Sequence, residues 1–348
     1  MGVDATSFAS ALIGWQKQYG RHDLPWQQQD GYRVWLSEIM LQQTQVNTVI
    51  PYYLNFLEQF PDVKSLADAS IDKVLQHWQG LGYYARARNL QQAAVIMRDQ
   101  HGGHFPQNMA EAEALPGVGR STAAAVLSLA YGQSQPILDG NVKRVLARCF
   151  QVSGWYGQSA TMQRLWQLAE KLTPKKQTAE FNQAMMDLGS MLCLKSKPKC
   201  ELCPLQQHCA SYRDHSQALY PEKKPKRTRP LKSILMLLHL YRGQVLLWRR
   251  PPTGIWGGLW SLPEVEDASQ VETWQRGFLS QGQAPGAIQQ NLLRHQFTHY
   301  SLDISLAVIE LQQLPTRIAD RDNHAWVALD QLGEYGLPTP VKKLLASL

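Results

Sequence analysis

Apolar residues recur at helical spacing through the first two thirds of the chain and at strand-like spacing after it. Trp35, Ile39, Val46 and Ile50 fit one apolar stripe of helical period. Leu66, Ile71, Val74 and Leu75 suggest a short helix, and Ala123 to Leu129 a compact one. Alternating β-branched runs are scarce from about Ser7 to Ala210, so this part is read as mostly helical, with an N-cap at Thr6 or Ser7 opening the first helix. The pattern then changes. Ser233 to Tyr241 and Gln244 to Trp248 are apolar runs around Arg242-Gly243, which reads as a hairpin. Gln270 to Leu279 looks helical, Leu302 to Leu311 looks like a strand, and Val341 to Ala346 a closing helix.

Between the two patterns lies Pro221 to Pro230, with three prolines and five basic residues in ten positions. Such a stretch builds no core and reads as a linker, able to lie along phosphates. The expected organisation is a helical domain over 1–220 that includes a cysteine loop at 193–209, a linker over 221–230, and a smaller α/β domain over 231–348. A chain of 348 residues suits two domains.

Charge adds a direction. Up to Arg229 there are 25 Lys and Arg against 18 Asp and Glu, and from Pro230 onward 10 against 10. The surplus of +7 therefore lies in the helical part, as an electrostatic footprint for nucleic acid would. No run approaches 18 apolar residues and no secretory pattern opens the chain, so a membrane partner is not expected.

Four of the five cysteines, Cys193, Cys200, Cys203 and Cys209, follow the pattern C-x6-C-x2-C-x5-C. Four thiolates so close in sequence point to a metal centre, either an iron–sulfur cluster or zinc; only Cys200 and Cys203 form the close pair usual in zinc sites. Cys149 stands apart and reads as a buried small hydrophobe. Lys195, Lys197 and Lys199, between the first two cysteines, would be held for phosphate contact by a pinned loop.

Leu115-Pro116-Gly117-Val118-Gly119-Arg120-Ser121 places two glycines at the start of a helix, where backbone N–H groups and the positive helix end can meet an anion. Pro136 to Arg144 follows, with Asp139 and Asn141. Together these stretches resemble the helix-hairpin-helix DNA glycosylases. The cysteine spacing resembles their iron–sulfur branch, which includes endonuclease III. Trp35 to Gln45, with Glu38 and Gln42, resembles the adenine-specific MutY group of that branch. Leu246 to Glu264 resembles the opening of a Nudix fold, but Ser269 to Gly282 supplies only Glu272 where those hydrolases hold magnesium with several carboxylates.

The resemblance implies a multidomain fold: a mostly α helix-hairpin-helix glycosylase domain and a smaller α/β Nudix-like domain. It implies hydrolysis of the N-glycosidic bond of adenine mispaired with 8-oxoguanine or guanine in double-stranded DNA. Glu38 would be the acid at adenine N7, Asp139 would stabilise the sugar cation, and Asn141 would position the sugar or the aspartate. Gln42, Tyr83, Arg86, Gly117, Gly119, Ser121 and Lys143 would face DNA, with Tyr83 wedging beside the lesion. Phe297, Thr298 and His299 correspond to the loop that reads the oxidised guanine. One 4Fe-4S cluster would sit on the four cysteines. Ser121 stands where lyase-competent relatives carry a lysine, and a hydroxyl forms no Schiff base, so a monofunctional enzyme is expected. The chain is expected to act as a monomer in the bacterial cytoplasm, at the nucleoid. Three rivals are a bifunctional pyrimidine glycosylase, opposed by Ser121; a Nudix pyrophosphatase, opposed by the missing carboxylates; and a non-catalytic lesion binder or redox sensor, opposed by Glu38 with Asp139.

Overall fold

The computed structural model describes residues 4–27, 30–225, 228–279, 288–297, 299–314 and 323–346. The chain divides into two compact units, one of 1–68 with 89–225 and one of 69–88 with 226–348.

The first unit is helical. Its elements are α1 (Ala5–Tyr19), α2 (Gly31–Leu41), α3 (Val46–Gln59), α4 (Val63–Asp68), most of α6 (Ala85–Gln100), α7 (Met109–Ala114), α8 (Arg120–Leu129), α9 (Gly140–Cys149), α10 (Ser159–Leu172), α11 (Thr178–Met191) and the short α12 (Ala210–Arg213). Helix α11 buries Phe181, Ala184, Met185 and Leu188, the i, i+3, i+4, i+7 stripe of one helix face. That face packs with Phe8 and Leu12 of α1 and Val142, Val145 and Leu146 of α9 in one core. Removing side chains of this size from water stabilises by about 1.5–3 kcal/mol each. Ala123, Ala124 and Ala125 leave α8 thin, and it packs against α2 and α11. A buried bond from Asn182 Nδ2 to Ser128 Oγ at 2.9 Å fixes α11 against α8.

Several boundaries differ from the sequence reading. Asp4, not Thr6 or Ser7, caps α1, and its carboxylate accepts from the Thr6 N–H. The stripe of Trp35, Ile39, Val46 and Ile50 spans two helices. Gln43 adopts the left-handed region at φ 59°, which ends α2 and turns the chain into α3. The short helix expected around Leu66 to Leu75 is also two, because Ser70 caps a new helix, α5 (Ile71–Trp78), by accepting from the Lys73 N–H.

The second unit is a mixed sheet with helices. Its strands are β1 (Leu231–Tyr241), β2 (Gln244–Arg249), β3 (Trp260–Ser261), β4 (Glu264–Val265), β5 (Ile288–Gln296), β6 (Ser301–Glu310) and β7 (His324–Ala328). The order is β3-β2-β1-β6-β5, with β4 on β1 and β7 on β2. Strands β1 and β6 run parallel, with Ile234 opposite Ile304; the other pairs are antiparallel. Arg242 and Gly243, at φ 46° and 76°, make the tight β1–β2 turn, with the positive φ at both central positions that a type I′ hairpin turn needs. Leu235 and Leu237, two apart on one face of β1, pack with Val265, Ala307, Ile309 and Val271 of α13 (Val271–Leu279). Helix α14 (Thr339–Leu345) closes the unit.

Residues 69–88, expected within the helical domain, group with this second unit instead. The reason is a row of polar contacts. Asp72 pairs with Arg249 at 3.0 Å. Gln76 and Gln79 donate to the carbonyls of Gly333 and Leu337, both at 3.0 Å. Arg88 donates to the Gly257 carbonyl at 2.5 Å.

Candidate active site

Helices α2, α8, α9 and α11 of the first unit surround a cleft of about 1020 Å³. Glu38 and Asp139, on elements a hundred residues apart in sequence, both line it, as do Gln42, Ser121, Asn141 and Lys143. Glu38 sits near the C-terminal end of α2, one helical turn before the bend at Gln43. Leu41, Gln42 and Gln45 line the cleft beside it, the last two beyond the helix, which stops at Leu41. Burial pushes the Glu38 carboxyl up to about 8, and the charge of Asp139 adds to the rise. At neutral pH Glu38 therefore holds its proton.

Asp139 is both the N-cap of α9 and a cleft residue. Its Oδ1 accepts from the Val142 N–H at 2.7 Å, and its Oδ2 accepts from Asn141 Nδ2 at 3.2 Å. Burial holds this carboxyl above the usual carboxylate range as well, opposed by backbone donors at Val142 and Asn141, the Arg144 charge and the Asn141 amide, which all favour its anion. One oxygen caps the helix and the other meets the Asn141 amide, so one group serves the helix and the cleft together.

Asn141 is itself held. Arg144 Nη2 donates to Asn141 Oδ1 at 2.8 Å and to the Gly189 carbonyl at 2.6 Å, and Arg144 Nε donates to the Cys193 carbonyl at 2.7 Å. Gly189 permits this packing, since a Cβ there would collide with Asn141. Arg144 thus ties the Asp139–Asn141 pair to the first cysteine of the loop. The sequence reading placed Arg144 at the end of the stretch Pro136 to Arg144 and gave it no role; its spacing of three from Asn141 on a helix was the available signal.

The hairpin joins α7 to α8. Gly117 has φ 77° and lies against Asn89, where a Cβ would come within 2.9 Å; its carbonyl accepts from Gln42 Nε2 at 3.4 Å. Gly119 is the N-cap of α8, has no side chain to cap the helix, and faces open space. Ser121 Oγ accepts the Leu138 N–H at 3.0 Å, so this hydroxyl holds the loop segment that delivers Asp139. Lys143 is half-buried, 5.7 Å from the Tyr156 ring, and burial lowers its pKa against the opposing pull of Asp139.

Cys193, Cys200, Cys203 and Cys209 line one small cavity of about 20 Å³, together with Cys149 and Arg148. Among the described residues no three His, Cys, Asp or Glu side chains form a ready metal site. The donor set nonetheless fits a thiolate-ligated cluster. Arg148, 4% exposed, donates from Nη1 to Cys193 Sγ at 3.3 Å and to the Leu194 carbonyl at 2.7 Å, and its other nitrogens hold the carbonyls of Lys195, Gln217 and Tyr220. A buried cation beside thiolates offsets their charge. Without a metal, burial pushes the Cys203 thiol up to about 12. Cys149 is buried, as expected, but in the wall of this same cavity. Lys195, Lys197 and Lys199 are exposed around an adjoining groove of about 910 Å³.

The remaining sites lie in the second unit. Tyr83 has φ 48° and is 46% exposed. Arg86, expected at DNA, is instead 8% exposed. Its Nη2 donates to the carbonyls of Leu81 and Gly82, and its guanidinium lies over Trp78 and Tyr83, so it builds the turn that presents Tyr83. Phe297 rests against Trp256, His295 and Tyr300, at ring distances of 5.5, 4.5 and 4.7 Å. His299 is exposed, and Thr298 lies outside the described residues. Glu272 pairs with Arg276 at 2.9 Å.

Residues 36–171 match the HhH-GPD superfamily of base excision DNA repair proteins, and residues 235–347 match the NUDIX domain. The adenine DNA glycosylase of Buchnera aphidicola subsp. Acyrthosiphon pisum (strain APS) is 37% identical over 97% of this chain and 96% of its own length. The chain belongs to the adenine DNA glycosylase family. The Homo sapiens adenine DNA glycosylase is 30% identical over 98% of this chain and 74% of its own. A thermostable thymine-DNA glycosylase shares the fold at a TM-score of 0.54 and 29% identity, over 60% of this chain and 97% of its own. A non-covalent endonuclease III–DNA complex is similar in fold at a TM-score of 0.52 and 22% identity, over 62% of this chain and 99% of that one. The glycosylase is thus an adenine-specific DNA N-glycosylase of base excision repair, built from a helical HhH-GPD domain and a smaller Nudix-like α/β domain. Among the described residues no helix is long and apolar enough to cross a membrane.

Proposed function

We propose that the enzyme excises adenine mispaired with 8-oxoguanine or guanine from duplex DNA, by hydrolysis alone and without strand scission. The observation that carries this reading is a pair of carboxyls in one cleft with different surroundings: burial raises both, Glu38 to about 8, but at Asp139 hydrogen-bond donors and the Arg144 charge oppose the rise. Cleaving an N-glycosidic bond needs a proton on the departing base and negative charge under the sugar as it becomes cationic, and two carboxyls in different environments divide those tasks. Adenine must leave the stack to reach them. Glu38 delivers its proton to adenine N7. Asp139 stabilises the sugar cation. Asn141, clamped by Arg144, fixes the Asp139 oxygen that faces the reaction.

Ser121 supports the monofunctional reading, because its hydroxyl is committed to the Leu138 N–H and supplies no amine to attack the sugar. The exposed glycines Gly117 and Gly119, with Gln42, Lys143 and the three lysines of the cysteine loop, suit phosphate and mispair contact. Tyr83 serves as the wedge, and Phe297, Thr298 and His299 read the opposite base. One 4Fe-4S cluster on Cys193, Cys200, Cys203 and Cys209 would pin the loop; its role there is to hold structure, and the proton steps belong to Glu38 and Asp139. The enzyme works as a monomer at the bacterial nucleoid.

The test is the pH profile of single-turnover adenine excision. The rate should fall as pH rises through about 8, where Glu38 loses its proton, and Glu38→Gln should be slow with no such fall. A wild-type rate flat to pH 9 would remove Glu38 as the acid.

A further inference from the structure

Two aromatic residues of the second unit sit in the left-handed backbone region, which costs a side chain free energy and persists only where neighbours hold it. Tyr83 is at φ 48° and Trp256 at φ 55°. Each has its own clamp. Around Tyr83, Trp78 Nε1 donates to the Gly82 carbonyl at 3.1 Å, and Arg86 Nη2 donates to Leu81 and Gly82 at 3.1 and 3.2 Å. Around Trp256, the carbonyls immediately before and after it are both taken by arginines: Arg250 Nε donates to Ile255 at 3.0 Å, and Arg88 Nη1 donates to Gly257 at 2.5 Å. Arg250 is itself locked by a bidentate pair with Glu264 at 2.7 and 2.9 Å. Arg88 differs from it, because it comes from the first turns of α6, the helix that starts just after the Tyr83 turn. The Arg86 N–H bonds the Tyr83 carbonyl, and the Arg88 N–H bonds the Tyr84 carbonyl.

Trp256 is the footing of Phe297 and His295, with ring distances of 5.5 and 5.8 Å. It is 9% exposed, so a shift of its backbone moves the rings packed on it. A continuous path therefore runs from Tyr83 through α6 to Arg88, Gly257, Trp256 and Phe297. We propose that Arg88 is a positioning residue for opposite-base recognition: it fixes the Trp256 turn that carries Phe297 relative to the turn that presents Tyr83, so that wedge and reading loop act as one body. The proposal rests on the reading of Tyr83 and Phe297 given above.

The test uses the full-length enzyme with Arg88→Ala, Arg88→Lys, Phe297→Ala and the double variant Arg88→Ala/Phe297→Ala. Single-turnover excision is measured with 8-oxoguanine and with guanine opposite adenine, alongside hydrogen exchange of 79–86 and 255–260. Arg88→Ala should lower the preference for 8-oxoguanine on the order of 3- to 30-fold, the range expected for a coupling residue remote from the ligand. Excision opposite guanine should change less than about 2-fold, since Glu38 and Asp139 are untouched. Arg88→Lys, which keeps a donor, should recover part of the preference. The double variant should lose no more than Phe297→Ala alone, and exchange should quicken in both segments together. An unchanged ratio, or equal loss on both duplexes with no rescue by lysine, would overturn the proposal. A wild-type enzyme with no preference would refute the reading of Phe297 instead; exchange quickening in only one segment would then refute the coupling independently.

Discussion

Glu38→Gln should make the enzyme more stable while abolishing most of its activity. The Glu38 carboxyl sits at about 8 against an ordinary value of 4.5, because burial and Asp139 both disfavour its charge. Folding at neutral pH must therefore take up a proton that the unfolded chain does not hold. A carboxyl with a raised native pKa binds more protons folded than unfolded, so stability falls as pH rises from about 4.5 to about 8 and levels off above. At about 1.4 kcal/mol per unit, the penalty at pH 7 is about 3 kcal/mol, an upper figure because relaxation and water entry reduce it. Glutamine keeps the shape without the titration. For a unit of roughly 200 residues this corresponds to a rise of about 5–10 °C in Tm. Thermal unfolding of both proteins at pH 5 and pH 8.5 checks it. The variant should gain at pH 8.5 and be nearly level with wild type at pH 5. Equal curves at both pH values would refute the reasoning and return Glu38 to an ordinary solvated carboxyl.

Asp139→Asn should keep the cap bond to the Val142 N–H through its amide oxygen yet lose about 10²–10⁴-fold in excision, with mismatched-duplex affinity retained in a gel-shift titration; near-normal turnover would take Asp139 out of the mechanism. Ser121→Ala should orphan the N–H of Leu138, itself 1% exposed, and cost ~1–3 kcal/mol in urea unfolding. Neither Ser121→Ala nor wild type should break an abasic strand without added base or heat, and spontaneous β-elimination by wild type would contradict the monofunctional reading. Purified protein should carry about four irons per chain by metal analysis, and Arg148→Ala should lose most of that iron by freeing four carbonyls and the Cys193 sulfur; undiminished iron in the variant would show that the arginine does not support the site.

What could be read from sequence was local. The Arg242-Gly243 turn, the alanine-rich α8 and the strand β6 each carry their instruction in adjacent residues. The break between α2 and α3 has no proline or glycine to announce it, because Gln43 takes a left-handed conformation that its type rarely adopts. Strand β5 was missed because its residues Gln289 to Arg294 are largely polar, as suits a strand that ends the sheet order and, among the described residues, pairs with β6. The membership of residues 69–88 in the second unit depends on Asp72, Gln76, Gln79 and Arg88 meeting partners more than 160 positions away, and no local pattern records that.

The site divides the same way. Glu38, Asp139 and the cysteines were legible through motif resemblance, and the cleft and the small cavity bring them together. At Asp139 the structure shows one oxygen capping α9 and the other accepting from Asn141. The supporting arginines were not legible. Arg144 and Arg148 look like surface charge in a basic stretch, yet they thread from α9 to the cysteine loop, and Arg86 faces inward. A basic residue shows its sign in sequence but not the direction of its side chain.

The most direct test of the whole account is release of free adenine from duplexes in which adenine stands opposite 8-oxoguanine, guanine or thymine, with strand integrity followed in the same samples. The account predicts fastest release opposite 8-oxoguanine, slower release opposite guanine, little opposite thymine, and intact abasic strands throughout. Equal release opposite all three bases, or strand breaks appearing together with the free base, would contradict it.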